Sequence, residues 1–298
     1  MIAYNPKNWF SFIFSIHRGV MMKHLFPNMF LVGLYTTLIV YIALKVIKIN
    51  FETGEYILNI EIHKLIGFVL GLVLVFRTNT AYERWWEGRK LWGALVNHSR
   101  MLAIKTDALL APADREGRKF FATGISNFAK SLVTHLREGA NASHIDSSVY
   151  ENQEEMKSAR HLPNEIVSQI EKKFVKLKTE GKLDGNELLT VNRDLDGMMD
   201  SLGGCERIRK TPIPFSYSMY IKKFIFVYVM TLPFGLIREY HWWSIPAVMF
   251  IFYILVGIEL IGEEVEDPFG TDVNDLGTED IAASIHDNAY EILRVPLK

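Results

Sequence analysis

The chain has a single cysteine, Cys205, among 298 residues. No disulfide can close within it, and no zinc site can be built on cysteines. Neither sign of charge is in excess, since the formal net charge is -1. A phosphate-binding surface would show as a basic excess or a dense basic stripe, so nucleic acid is not an expected partner. Catalytic motifs are missing too. The nine histidines are scattered, none at the spacing of a zincin helix, and neither a Gly-x-Ser-x-Gly elbow nor a phosphate loop occurs. An enzyme is not expected. Met1 to Val20 is aromatic and mixed, without a basic start, an apolar core and a small-residue cleavage site, and does not read as a signal peptide. No internal repeat or strand-like alternation stands out, which leaves helices.

What is present is 49% hydrophobic residues, gathered into blocks. A helix crossing the hydrocarbon core needs about 20 mostly apolar residues at about 1.5 Å each. Leu25 to Leu44 meets this without a charged residue, ending at Lys45 and Lys48. Leu65 to Phe76, between Lys64 and Arg77, is too short to cross alone in contact with lipid. It is either a buried core helix or part of a longer one shielded by other protein, with Thr78 to Arg84 as its polar continuation. Phe224 to Ile237 and Trp242 to Ile258 are joined by only Arg238-Glu239-Tyr240-His241 and form an antiparallel hairpin, with kinks or breaks expected at Pro233 and Pro246. Four crossings put both termini and the segment between the second and third on one side. That side carries Arg18, Lys23, Arg77, Arg84, Arg89, Lys90, Lys222 and Lys223, which makes it cytoplasmic. The expected plan is an N-terminal cytosolic segment 1–24, spans within 25–76, a cytosolic helical region 77–223, spans within 224–258 and an acidic cytosolic tail 259–298.

In the middle region, Leu91 to Leu136 is helical with a break and restart at Pro112-Ala113-Asp114. Further helices are expected over Pro163 to Leu177 and Glu187 to Leu202, with a loop over Gly139 to Ser158. Leu202-Gly203-Gly204-Cys205-Glu206-Arg207 reads as a helix end or a tight packing point. Thr211-Pro212-Ile213-Pro214 reads as an extended connector into the third span. From Glu259 to Asp280 nine carboxylates occur without a lysine or arginine. They could bind calcium, attract cations to a pore or cover a solvated surface, and the spacing does not match the twelve-residue calcium loop. Chemistry favours a solvated or helix-capping surface.

Leu202 to Arg207, Thr211-Pro212-Ile213-Pro214-Phe215-Ser216-Tyr217, Leu232-Pro233-Phe234, Glu263 to Thr271 and Asn274-Asp275-Leu276 together resemble the bacterial bestrophin signature. Trp9, the His17-Arg18-Gly19 region and Phe76 to Arg84 are similar to further segments of that family, so the resemblance covers nearly the whole chain. It implies an all-α membrane protein: a homopentamer with four transmembrane helices and a cytosolic helical bundle per subunit around a central pore, in a bacterial inner membrane. The partners implied are further copies of the chain, membrane lipid and small monovalent ions. The family's neck is built by three residues on the second helix. The matching positions are Phe68, Leu72 and Phe76, with Gly67 and Gly71 on a neighbouring face where helices approach closely. Spacing alone leaves open a packing stripe. A second, cytosolic constriction falls near Asn186, or at Leu188 or Leu189 in a shifted register. Gly203, Gly204, Glu206, Arg207, Pro212, Pro214, Glu266, Asp267 and Pro268 are the structural residues the resemblance implies.

Animal bestrophins hold calcium with a run of aspartates after the last membrane helix. Here Glu263-Glu264-Val265-Glu266-Asp267-Pro268 puts valine and proline among the would-be ligands, so no cofactor, metal or calcium activation is expected. The resemblance implies a chloride-type channel for the family and a cation preference for a bacterial member, which the acidic stretch would favour if it faces the permeation path.

Overall fold

The computed structural model describes residues 20–49, 60–138 and 144–296, so Trp9, His17, Arg18 and Gly19 lie outside the described residues, as do 139–143 of the expected loop. Among the described residues the chain forms α-helices and no strand: α1 (Val20–Tyr41), α2 (Ile60–Leu109), α3 (Arg115–Arg137), α4 (Gln153–Ser158), α5 (Leu162–Thr179), α6 (Gly185–Lys210), α7 (Phe215–Tyr240), α8 (Ser244–Glu266) and α9 (Thr278–Ile292). They fall into two compact units. The first takes in residues up to Arg84 together with Pro212–Asp267, and the second comprises Trp85–Thr211 and the residues from Pro268 on. Helix α2 gives its first half to one unit and its second half to the other.

The first unit holds the apolar segments. Leu25–Val46 has a mean hydropathy of 1.9 and Phe215–Glu266 of 2.3 over their most apolar stretches, and both are long and apolar enough to cross a membrane. The second of these is two helices, α7 and α8, joined by a single 3-10 turn over His241–Trp243. His241 makes the reversal with a φ of 48°, a left-handed backbone that costs a non-glycine residue some strain. The expected hairpin is there, but not the breaks. Pro246 lies in the first turn of α8, where its missing N–H would have had no partner anyway. Helix α7 runs unbroken through the buried Pro233.

The second unit is built around α3, which is buried on nearly every side. Several of its buried polar residues are tied to neighbouring elements. The Asn127 side chain exchanges hydrogen bonds with the Asp146 backbone at 2.8 and 3.0 Å, and Ser126 bonds His286 at 2.8 Å. The break at residues 112–114 is real: α2 ends at Leu109, and Asp114 caps α3 by accepting from the Gly117 N–H at 2.8 Å. Three expectations need correction. The described part of the loop, 144–158, contains a 3-10 turn and α4, because Tyr150 and Met156 are buried core anchors in an otherwise polar stretch. The acidic tail is not a tail: its first carboxylates belong to the last two turns of α8, and α9 packs on α3. Nor is it simply a solvated surface, since Glu259 and Asp275 are buried.

At the glycine pair the helix end is absent and the packing point is present. Helix α6 does not end there but continues to Lys210, and Thr211 closes it just ahead of Pro212. A side chain at Gly204 would sit 2.7 Å from Leu91, whereas at Gly203 it would meet nothing within 4 Å. One glycine is a packing point and its neighbour is merely tolerated. Gly203→Ala is expected to raise the melting temperature, by the ~0.5–1 kcal/mol that alanine gains over glycine within a helix. Gly204→Ala is expected to lower it. Thermal unfolding of the two variants in detergent separates them.

Candidate functional site

The first half of α2 has two faces. His63, Leu70, Leu74, Arg77 and Ala81 are buried against the rest of their unit, following the helical repeat. On the opposite face stand Phe68 (72% exposed), Leu72 (48%) and Phe76 (58%). These are the three positions singled out in the sequence, aligned at i, i+4 and i+8. The chain alone leaves them bare. Gly67 lets α7 come close, since a side chain there would lie 2.6 Å from the Tyr228 hydroxyl, while Gly71 has nothing within 4 Å. His63 adds a polar tie on the buried face, its Nε2 lying 3.2 Å from Thr231 Oγ1.

One residue beyond Phe76, the Arg77 guanidinium is 1% exposed and pairs with Glu266 at 2.5 Å. Glu266 is the last residue of α8, and it is used three times. Its other carboxylate oxygen accepts from the Ile213 N–H at 2.7 Å, and its carbonyl accepts from Arg84 Nε at 3.2 Å. One glutamate thus ties α2, the connector before α7 and the end of α8. Pro214 starts α7 with φ -53° and ψ 127°, the extended connector expected from the two prolines Pro212 and Pro214. After Glu266, Asp267 turns extended because the following Pro268 disfavours helix at that position.

In the second unit Glu206 lies on α6 and its Oε1 takes two imidazoles, His135 Nε2 at 2.7 Å and His161 Nε2 at 2.6 Å, while Lys210 bonds Oε2 at 3.0 Å. Neither histidine was singled out in the sequence, because α3 and the start of α5 bring them to Glu206 only in the fold. The three ligand atoms are close enough to surround a metal ion. The proton arrangement argues against one. His161 Nδ1 caps α5 by accepting from the Asn164 N–H at 3.3 Å, so its proton sits on Nε2, where a metal would have to bind. His135 Nδ1 is buried with no hydrogen-bond partner, so the outer support that metal-bound histidines usually have is missing. The cluster is a hydrogen-bonded tie between α3, α5 and α6. Burial alone would raise the Glu206 pKa, but the bonds from His161, Lys210 and His135 prevail and pull it down to about 2. Burial lowers that of His135, against the hydrogen bond to Glu206.

Of the other expected residues, Arg207 makes an exposed ion pair with Glu87 at 2.7 Å. Cys205 is buried, and burial together with the charges of Glu87 and Glu206 pushes its thiol up to about 12, so it is no nucleophile. Asn186 is exposed in the first turn of α6, and Leu189, three residues on and on the same face, is 69% exposed.

The sequence matches the family described as Bacterial/Fungal Bestrophin protein over residues 1–291. A voltage-dependent anion channel-forming protein of Nostoc is 33% identical over 290 residues, covering 96% of this chain and 92% of that protein. A protein of the same description from Synechocystis is 35% identical over 235 residues, covering 77% and 76%. Among solved structures, the bacterial bestrophin homologue of Klebsiella pneumoniae superposes with a TM-score of 0.81 at 25% identity, covering 91% of this chain and 99% of that one.

Two measurements test the ties. Glu266→Gln leaves Arg77 buried without its counter-charge and is expected to cost about 3–5 kcal/mol. Glu87→Gln, which breaks only an exposed pair, should cost at most about 1 kcal/mol, and melting in detergent ranks the two. For the imidazole cluster, a folded-state His135 pKa below the ordinary 6.5 makes the protonated form favour unfolding. Stability is expected to be full above that value and to fall as the pH drops below it. The Glu206 contribution is lost only lower, between about 4.5 and about 2. In His135→Gln the loss just below pH 6.5 should shrink.

Proposed function

The chain belongs to the bacterial and fungal bestrophin family, and on that premise we propose that it is a homopentameric channel for small monovalent ions with a neck of Phe68, Leu72 and Phe76. The observation that carries this is the bare apolar face of α2. A stretch too short to sit in lipid unaided, with three large apolar side chains exposed in line, is satisfied by further copies facing it across an axis. Five such faces would make three apolar rings, which gate by dewetting and present the positive edges of phenyl rings to the path. Around the second constriction, Asn186 and Leu189 share an exposed face, and Leu189 supplies the apolar side chain. The protein lies in the inner membrane with both termini cytoplasmic, and its family and relatives speak for a channel rather than an enzyme.

The neck carries no formal charge, so the sign of the ion rests on weak terms. The names of the relatives favour anions. The acidic stretch behind a cation preference is partly engaged: Glu266 with Arg77, Glu263 with Lys222, and Glu279 with Arg137. Reversal potentials under a salt gradient decide between the two signs.

Calcium activation is not part of the proposal. The loop after α8 and the start of α9 form a cavity of about 170 Å³ lined by Asp272, Asp275, Glu279 and Asp280. Arg137 already reaches into it, donating to the Phe269 carbonyl at 3.1 Å and to Thr278 Oγ1 at 3.3 Å and pairing with Glu279. A tethered guanidinium supplies the positive charge that a bound ion would otherwise bring.

Purified protein in planar bilayers is expected to show unitary currents. Phe68→Ala, Leu72→Ala and Phe76→Ala should raise conductance or open probability, and micromolar calcium should change neither. Absent currents, or neck substitutions without effect, would sink the pore. A steep rise with calcium would sink the calcium-independent reading. Mass measurement in detergent checks the pentamer.

A further inference from the structure

A second feature of the first unit lies away from the neck face: a groove of about 510 Å³ between α1, α7 and α8. Its two ends differ in chemistry. On α7 the lining runs from Lys222 to Met230, on α8 from Glu259 to Phe252, and on α1 from Asn28 to Tyr35. The charged and polar members, Lys222, Glu259 and Asn28, begin all three runs. The far end is closed by Tyr35, whose hydroxyl donates to the Met230 carbonyl at 2.9 Å. Seven or eight residues at 1.5 Å each make the groove about 11 Å long, against about 15 Å for one leaflet of the hydrocarbon core. Its polar mouth adjoins Lys223 and the carboxylates ending α8, at the end of both helices placed on the cytoplasmic side, where headgroups lie.

The mouth is built around a buried carboxylate. Glu259 is 4% exposed, and its Oε1 accepts no hydrogen bond. The nearest cation, Lys222 Nζ, stands 3.6 Å from it and is bonded instead to both oxygens of Glu263 at 3.1 and 2.9 Å. Among Lys222, Glu259 and Glu263 there is one more carboxylate than ammonium. A buried carboxylate oxygen without a donor is costly, and the group that completes the mouth is a further cationic hydrogen-bond donor. The apolar run behind it asks for a hydrocarbon chain.

We propose that this groove binds a membrane phospholipid with a primary-amine headgroup. Its ammonium lies against Glu259 and Glu263, its phosphate against Lys222, and one acyl chain along the wall that includes the exposed Phe226. The inference rests on the membrane placement given above and not on conduction, so lipid retention and current are independent readouts.

Native mass spectrometry tests it on the intact protein, equilibrated in micelles holding equal amounts of phosphatidylethanolamine and phosphatidylglycerol. The wild type is expected to retain the amine lipid with about a tenfold preference, the worth of one charge-assisted hydrogen bond. Glu259→Gln should abolish that preference. Phe226→Trp, a change on the groove wall away from the core, should reduce retention of both lipids, and it keeps the test decisive if Glu259→Gln does not fold. Equal retention of the two lipids by the wild type overturns the proposal, as does a preference that survives Glu259→Gln. So does oxidative cross-linking of copies through Phe226→Cys, which would make the groove an interface between subunits; the buried Cys205 does not interfere.

Discussion

The first unit hangs on one buried ion pair. Taking a guanidinium out of water is expensive, and the pair returns that cost only with good geometry and with the remaining carboxylate valences filled. On the carboxylate side Glu266 meets this by serving Arg77, the Ile213 amide and, through its carbonyl, Arg84, while Arg77 Nε and Nη1 are buried without a hydrogen-bond partner among the described residues. Because Arg77 follows Phe76 directly, the same contact fixes the rotation of α2. Rotation decides which residues are bare: with Leu74 and Arg77 turned inward, Phe68, Leu72 and Phe76 have to point away. The bare face is set from behind, by residues on the buried side of the helix.

Much of this architecture was legible in the sequence because it depends on composition over long windows. Apolar block lengths marked α1, α7 and α8, the Pro-Ala-Asp break marked the start of α3, and the prolines before Phe215 marked the connector. The neck positions were readable as an aligned stripe, though their meaning came from the family resemblance. Local punctuation misled where tertiary contacts overrode it. The glycine pair reads as a helix end or a packing point, and only the second holds: Gly204 packs closely on Leu91 inside a helix that continues. The acidic stretch reads as surface, yet its partners Arg77, Lys222 and Arg137 are 37 or more residues away and leave no mark beside it.

The His135–His161–Glu206 tie and the amine-seeking groove were invisible for the same reason. Each is assembled from residues of three helices that lie far apart in sequence even where the helices are consecutive, and no spacing rule connects them. In both, the decisive observation is where a proton or a lone pair is left over. His161 needs its proton on the nitrogen a metal would use, and Glu259 has an oxygen waiting for a donor.

The connectivity of the Arg77–Glu266 pair also has a consequence in time. Its partners are separated by 189 residues of chain. At about 5–20 residues per second, a ribosome needs roughly ten to forty seconds after making Arg77 before Glu266 exists. Through that interval the neck helix is in the growing polypeptide with an uncompensated charge at the end of its apolar stretch, while the whole stretch from Trp85 to Thr211 is synthesised. The first unit is therefore started early and tied by this pair only when α8 is complete. A chain interrupted before the end of α8 keeps the contacts of α2 with α7 but lacks the one tie that neutralises Arg77.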